Sequence, residues 1–228
     1  MKHLKLFNDV ASYEAWKNSE DYVLPNVSYT EGVGLYYNPV KNLLTITLNV
    51  PDVSNPTKVC YKTEAFSEMI IDGVSMQPTQ TYQFTSPGYH TIEYELIDKK
   101  HIPDYCFFQG PFPGGINVQY IEKLVIPEGV ETIGYGILPQ GQYYLKSVEF
   151  PSTFNGVPNI LGDGHSALNI ITFKCPPENI LLDSAPINVG IETREVIVNY
   201  PSKYDYSEVI KYLNDNNHSV VFIGETID

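Results

Sequence analysis

Cysteine and positive charge are scarce in this sequence. Its three cysteines, Cys60, Cys106 and Cys175, are widely spaced and odd in number, which argues against a disulfide framework. Only 14 lysine and arginine residues stand against 27 acidic residues, so the formal net charge is -13. A nucleic-acid backbone or an anionic membrane surface would be repelled by this charge. We therefore expect no nucleic-acid partner.

Long apolar runs are also missing. No stretch approaches the roughly 18 consecutive apolar residues that identify a membrane-spanning helix, so the sequence predicts no membrane insertion. The first residues, Met1 to Asp9, begin with positive charge but contain no apolar run of signal-peptide length. We therefore expect the chain to be made and folded in a cytosol.

Aromatic and turn-forming residues are abundant. Hydrophobic residues make up 43% of the chain and aromatic residues 13%, which is enough for a packed core and argues against disorder. The sequence contains 18 Tyr, 17 Pro and 16 Gly, a combination that favours strands joined by many turns. The predicted class is mainly β, a β-rich α+β fold.

One short pattern recurs through the second half of the chain. It begins at Ile121 and returns at Leu145, at Leu168 and, in a weaker form, at Thr193. In each copy the fourth and sixth residues are apolar, which is the alternation of a strand with one buried face. The spacing of 23 to 25 residues is typical of leucine-rich repeats, in which each unit buries its strand against its neighbours.

Three regions are predicted along the chain. Residues 1–39 indicate a strand, a helix and a hairpin, too few residues to bury a core alone, and are interpreted as an anchoring or docking module. Residues 40–98 predict a small sandwich-like β domain. Residues 99–228 predict a short leucine-rich-repeat solenoid with a C-terminal helix-strand cap, whose helix begins with a capping box from Asp205 to Glu208.

Clusters of reactive residues have simpler structural interpretations. His101, Asp104 and Cys106 fall within six residues and would suit a thiol nucleophile with a base. The repeat pattern instead gives Cys106 a small buried position, where a thiol is inert. Gly162 to His165 is interpreted as a turn between repeats. We therefore predict no catalytic residue, no metal site and no cofactor, and a protein that is not an enzyme.

Aromatic residues beside predicted turns are the candidates for binding. A loop rich in Gly and Pro precedes the first regular repeat, and a tyrosine pair precedes the second. Such residues stack on sugars or form protein interfaces. The candidate interaction loop comprises Gln109, Pro111, Phe112, Pro113, Tyr143 and Tyr144. The candidate anchoring module comprises Phe7, Tyr13, Trp16 and Tyr29.

Several segments resemble one protein family. Ile126 to Gly134, followed by Leu145 to Pro151, resembles the BspA-type leucine-rich repeats of Bacteroidales and their phages. Val196 to Pro201, with the Tyr-rich helix after it, resembles the C-terminal cap of that family. Phe84 to Tyr94 is similar to the β-module that often precedes the repeats. Tyr13 to Trp16 and the residues around it look like a module of structural proteins from crAss-like gut phages.

This resemblance implies a non-enzymatic bacteriophage virion protein, either a structural component or an appendage of the capsid or tail, assembled in the host cytoplasm. Its partners would be other virion proteins or further copies of itself in a homo-oligomer, together with a host-surface protein or glycan. The alternative within the same family is a bacterial cell-surface protein that serves adhesion or binds glycans through its leucine-rich repeats.

Overall fold

The computed structural model describes residues 27–30, 34–37, 42–107, 120–138, 144–162, 167–182, 194–217 and 220–227. Contacts between Cα atoms divide the chain into two units, Met1–Asn42 and Leu43–Asp228. Among the described residues, no helix has both the length and the apolar character needed to cross a membrane.

The first unit contains two described strands, β1 (Val27–Thr30) and β2 (Gly34–Tyr37). They pair antiparallel, as the predicted hairpin requires. Of the four predicted anchoring residues, Tyr29 lies in β1. The other three, Phe7, Tyr13 and Trp16, lie outside the described residues, so their anchoring role stays a prediction.

The second unit is built almost wholly from strands. Its described strands are β3 (Leu44–Val50), β4 (Thr57–Lys58), β5 (Phe66–Ile71), β6 (Val74–Met76), β7 (Thr81–Tyr82), β8 (Gly88–Leu96), β9 (His101–Ile102), β10 (Ile121–Val125), β11 (Thr132–Ile133), β12 (Ser147–Phe150), β13 (Ile170–Phe173), β14 (Arg194–Pro201) and β15 (Val220–Ile227). A single α-helix, α1 (Ser207–Asp215), is found among the described residues.

Nine of these strands form one mixed sheet in the order β15-β14-β13-β12-β10-β3-β8-β5-β6. Neighbours from β10 to β15 are parallel, and neighbours from β10 to β6 are antiparallel. The predicted mainly β class is therefore confirmed. The regions on either side of the predicted boundary at residues 98 and 99 share this sheet, because β10 pairs with β3.

The two apolar positions of the recurring pattern lie in the core. Six side chains at these positions in the first three copies are buried: Leu124, Ile126, Val148, Phe150, Ile171 and Phe173. The fourth copy is shifted, because Ile171 pairs with Val198 and not with Val196. A shift of two residues keeps the same side chains on the same face of a strand. The predicted register of the fourth copy is therefore wrong by two residues, although its buried face is right.

A row of one residue per strand crosses eight strands of the sheet. Pairwise register places these residues side by side: Ile71, Ile92, Ile46, Leu124, Val148, Ile171, Val198 and Gly224. The seven aliphatic members are each at most 2% exposed. The row ends at Gly224 because β15 is the edge strand of the sheet. A Cβ at this position would collide with the Ile210 side chain of α1.

A second, shorter ladder forms outside the nine-stranded sheet. It begins with the parallel pair β9 and β11 and continues through a parallel bridge between Gly156 and Ile180. The peptide groups of Glu131 and Asn155 connect the two parts with a hydrogen bond of 2.7 Å. Each turn of the chain therefore places one segment in the large sheet and one in the short ladder.

Helix α1 covers the core beside β14 and β15. Val209 and Leu213 on its inner face are buried. The helix begins at Ser207, and its N-cap residue Tyr206 makes no side-chain capping hydrogen bond. The predicted capping box is therefore wrong. The Asp205 carboxylate instead accepts a hydrogen bond of 2.9 Å from the Ser207 N–H, which forms a local turn before the helix.

Asparagine side chains cover part of the outer edge of β15. The Asn214 amide accepts from the Phe222 N–H at 2.8 Å and donates to the Phe222 carbonyl at 3.1 Å. The Asn217 side chain accepts from the Val220 N–H at 3.2 Å. These amides occupy backbone groups that would otherwise be open to another strand.

We predict that Leu124→Ala lowers the free energy of unfolding by about 3 kcal/mol, because the substitution opens a cavity in the middle of the buried row. Urea denaturation followed by circular dichroism measures this loss. Lys123→Ala is the matched control, since Lys123 is the exposed neighbour in the same strand and should change stability by less than about 0.5 kcal/mol. Equal effects of the two substitutions would contradict the described register.

We predict that Asn214→Ala lowers stability by about 1–2 kcal/mol, because the Phe222 peptide groups lose their partners. Exposed strand edges also pair with other chains, so the variant should associate more than wild type in sedimentation at high concentration. Asn216→Ala is the control, since that amide donates to Tyr212 within the helix end. The prediction would be wrong if the Asn214→Ala protein had the stability of wild type and the same mass in sedimentation. Water would then replace the amide fully.

Candidate interaction site

A β-bulge marks the point where the antiparallel and parallel parts of the sheet meet. Ile121 of β10 lies opposite Leu48 of β3, but Lys123 lies opposite Thr47. Glu122 is therefore an extra residue in the ladder. Bulges re-aim the side chain of the inserted residue. The Glu122 side chain lies largely buried, and the whole residue is only 8% exposed.

The Glu122 carboxylate is held by two side chains from two neighbouring segments. Asn49 Nδ2 of β3 donates to Oε1 at 3.0 Å, and Lys146 Nζ, just before β12, donates to Oε2 at 2.7 Å. The Tyr89 side chain of β8 lies close enough to the carboxylate to lower its pKa. The Glu122 peptide carbonyl also accepts from the Lys146 N–H at 2.8 Å. One carboxylate thus connects β3, β10 and the start of β12.

The contacts of Glu122 decide its charge. Burial raises the pKa of its carboxyl, but the hydrogen bonds from Lys146 and Asn49, with the positive charge of Lys146, outweigh burial and lower the pKa below its usual value. The hydrogen bond to Glu122 in turn raises the pKa of Lys146. Both groups are therefore ionised at neutral pH, and their charges cancel within the site.

Three tyrosines lie in the segments that supply this site. Tyr89 is 65% exposed, and its side chain helps to lower the pKa of Glu122. Tyr120 and Tyr144 meet edge to face, with ring centroids 5.1 Å apart and an interplanar angle of 61°. Tyr144 is 45% exposed. Exposed rings that neighbouring groups hold in place are ready to pack against a ligand.

The backbone of Tyr120 is fixed in an uncommon conformation. Its φ is +64°, in the left-handed region that non-glycine residues seldom adopt. Its carbonyl accepts a hydrogen bond of 3.0 Å from the Asn49 N–H. Such strain is often found at functional positions. We define the tyrosine site as Asn49, Tyr89, Tyr120, Glu122, Tyr144 and Lys146.

The repeat spacing brings some of these residues together. Tyr120 and Tyr144 are 24 residues apart, as are Glu122 and Lys146. Each pair therefore occupies equivalent positions in consecutive copies of the pattern. Equivalent positions of adjacent repeats become neighbours in a stack. This spacing is a sequence signal that would have identified both pairs. Tyr89 and Asn49 carry no such signal, because they belong to the antiparallel strands.

One predicted interaction residue, Tyr144, belongs to the tyrosine site. The other predicted members, Gln109, Pro111, Phe112, Pro113 and Tyr143, lie outside the described residues, so their binding role stays a prediction. Sequence reasoning missed Asn49, Tyr89, Tyr120, Glu122 and Lys146.

The structure gives His101, Asp104 and Cys106 separate partners. His101 Nδ1 lies 2.8 Å from Thr132 Oγ1, and Asp104 Oδ1 accepts from the Tyr135 N–H at 2.7 Å. Cys106 is fully buried, and burial raises the pKa of its thiol to about 12. The thiol is therefore protonated at neutral pH.

Metal-ligating residues are dispersed over the part of the chain that the structure describes. No group of three or more His, Cys, Asp or Glu side chains is placed to hold a metal ion there. Cys175 is buried, and burial raises the pKa of its thiol to about 11. Of the predicted turn from Gly162 to His165, residues 163–165 lie outside the described residues.

Comparison of the chain with protein-family models, with curated proteins and with solved structures finds no match in any of the three.

We predict that Glu122 makes the stability of the protein sensitive to acid. Because its pKa is lowered in the folded state, its contribution to stability is present above the ordinary carboxyl pKa and is lost as pH falls through the lowered value. Wild type should therefore lose more stability than Glu122→Gln between about pH 5 and pH 3, measured by urea denaturation at each pH. Glu225→Gln, on the exposed part of β15, is the control. Identical pH profiles for wild type and Glu122→Gln would contradict the ionised network.

Proposed function

We propose that residues 99–228 form a short leucine-rich-repeat stack of the BspA type, joined to a sandwich-like β unit at residues 40–98. Two features support this proposal. Equivalent residues of the recurring pattern lie on adjacent parallel strands, as in the pairs Leu124 with Val148 and Val148 with Ile171. The short ladder through β9, β11 and Gly156 gives each turn a second contact with the next turn.

The chain functions, in this proposal, as a non-enzymatic structural or appendage protein of a bacteriophage virion. It acts through contacts with other virion proteins or copies of itself and with the host surface, and residues 1–39 anchor it to the particle. The virion assignment rests on the resemblance to phage proteins. The observation that supports a binding role is the Glu122 carboxylate, whose hydrogen bonds with Asn49 and Lys146 hold this part of the surface in one arrangement.

A second candidate is a bacterial cell-surface adhesion or glycan-binding protein with the same repeats. The exposed rings of Tyr89 and Tyr144 favour it, because aromatic rings on a protein surface supply contact area for ligands at low entropic cost. Both candidates share a binding role. They differ in where the protein is displayed.

Mass spectrometry of purified phage particles tests the virion assignment. We expect peptides from this chain in density-purified particles, at abundances comparable to those of other minor structural proteins. Abundant host cytosolic proteins, quantified in the same sample, control for contamination. Particles without these peptides would overturn the assignment. Peptides released from intact bacteria by brief surface proteolysis would instead establish the cell-surface alternative.

A further inference from the structure

We propose that the tyrosine site binds an uncharged saccharide, with the ring of Tyr89 as the platform on which one sugar ring packs. This inference rests on the proposed binding role and names the ligand class and the residues for the host-surface contact. Three physical properties of the site carry it: exposed aromatic surfaces, hydrogen-bonding groups beside them, and the absence of a net charge on the paired Glu122 and Lys146.

The aromatic platform lies on a strand of the large sheet. Tyr89 lies directly opposite Asn49 in the antiparallel pair of β8 and β3, and Asn49 in turn donates to Glu122. Tyr89 is 65% exposed. Because the sheet already fixes the backbone that carries this exposed ring, little main-chain conformational entropy is lost on binding. The apolar C–H face of a sugar ring suits such a surface.

The second aromatic surface is the Tyr120–Tyr144 pair. The edge-to-face contact at 5.1 Å fixes the orientation of Tyr144, which remains 45% exposed. Tyr120 and Tyr144 lie two residues before Glu122 and Lys146, which form the ion pair. The site therefore has an aromatic residue in each of the two segments that supply the charged network.

Hydrogen-bonding capacity remains beside these rings. An ammonium group has three N–H donors, and Lys146 Nζ directs one of them at Glu122. The Lys146 side chain is 51% exposed, so its remaining donors are accessible to solvent and to ligand hydroxyl groups. A saccharide hydroxyl can accept from this ammonium without disturbing the ion pair.

The charge balance selects against a charged ligand. Glu122 and Lys146 neutralise each other at 2.7 Å, so the site offers neither an unpaired cation nor an unpaired anion to a ligand. The whole chain carries a formal net charge of -13, which disfavours sulfated or acidic polysaccharides through long-range repulsion. An uncharged saccharide is subject to neither penalty.

The position in the sheet selects against a peptide that adds as a strand. Strands β3, β10 and β12, which carry Asn49, Glu122 and the residues after Lys146, each have a neighbour on both sides. Strand addition needs an open edge, which these three strands do not offer. A ligand at this position is therefore recognised by side chains and rings.

An array of uncharged oligosaccharides tests the proposal. The array carries glucose, galactose, mannose, fucose and N-acetylhexosamine units, and is probed with the full chain. The strongest ligand is then titrated by isothermal calorimetry. We expect Tyr89→Ala to raise its Kd by at least about tenfold. Tyr89→Phe, which keeps the ring and loses the hydroxyl, should raise the Kd less.

The matched control is Tyr135→Ala. Tyr135 is 50% exposed and also meets a second tyrosine edge to face, with its ring centroid 6.1 Å from that of Tyr105, but it lies beside the short ladder and away from Glu122. Its removal should leave the Kd unchanged. Thermal unfolding of each variant checks that the fold persists.

Three results would overturn the saccharide proposal. They are a folded wild-type protein that binds no array member, an affinity that Tyr89→Ala and Tyr144→Ala leave unchanged, and equal losses in Tyr89→Ala and Tyr135→Ala. A proline-rich peptide that binds at Tyr89 when no saccharide does would assign the site to a protein partner. Particle mass spectrometry is independent of all these results. An array without binding would therefore not overturn the virion assignment. Particles without peptides from this chain would not overturn the saccharide site.

Discussion

The fold depends on the burial of one side chain per strand along a single row. One turn of the chain supplies too few residues to enclose its own strand, so Leu124 is covered only because Ile46 and Val148 lie beside it in register. A slip of one residue would turn each of these side chains to solvent. The row also explains why the parallel and antiparallel parts form one unit, since β3 and β10 contribute to the same core. Helix α1 completes it where Gly224 leaves space for Ile210.

The register that aligns the core also aligns the surface. Residues 24 positions apart in the sequence become neighbours, so an acid at 122 meets a base at 146 and an aromatic ring at 120 meets another at 144. Like charges at 122 and 146 would repel each other across adjacent strands. The composition of the surface is therefore constrained by stacking, as that of the core is, and the tyrosine site follows from both constraints.

Sequence periodicity predicted the buried positions of the first three repeats because local alternation and repeat spacing agree there. It did not predict the register of the fourth copy, since Val196 and Val198 satisfy the same alternation. It also did not predict the pairing of β3 with β10, because a contact between strands about 75 residues apart leaves no periodic trace. Tyr144 was identified as a binding candidate because it lies beside a predicted turn, whereas Tyr89, brought to the site by that antiparallel part, was not.

The bulge at Glu122 connects architecture to recognition. Strand β10 pairs antiparallel with β3 on one side and parallel with β12 on the other, and these two ladders place their hydrogen bonds differently along a strand. One extra residue accommodates the mismatch, and its carboxylate then lies where Asn49, Tyr89 and Lys146 converge. A uniform stack of identical repeats would have no such junction. The binding surface proposed for this protein therefore arises where the repeat ends and another pairing begins, because only there do side chains from both parts of the sheet meet.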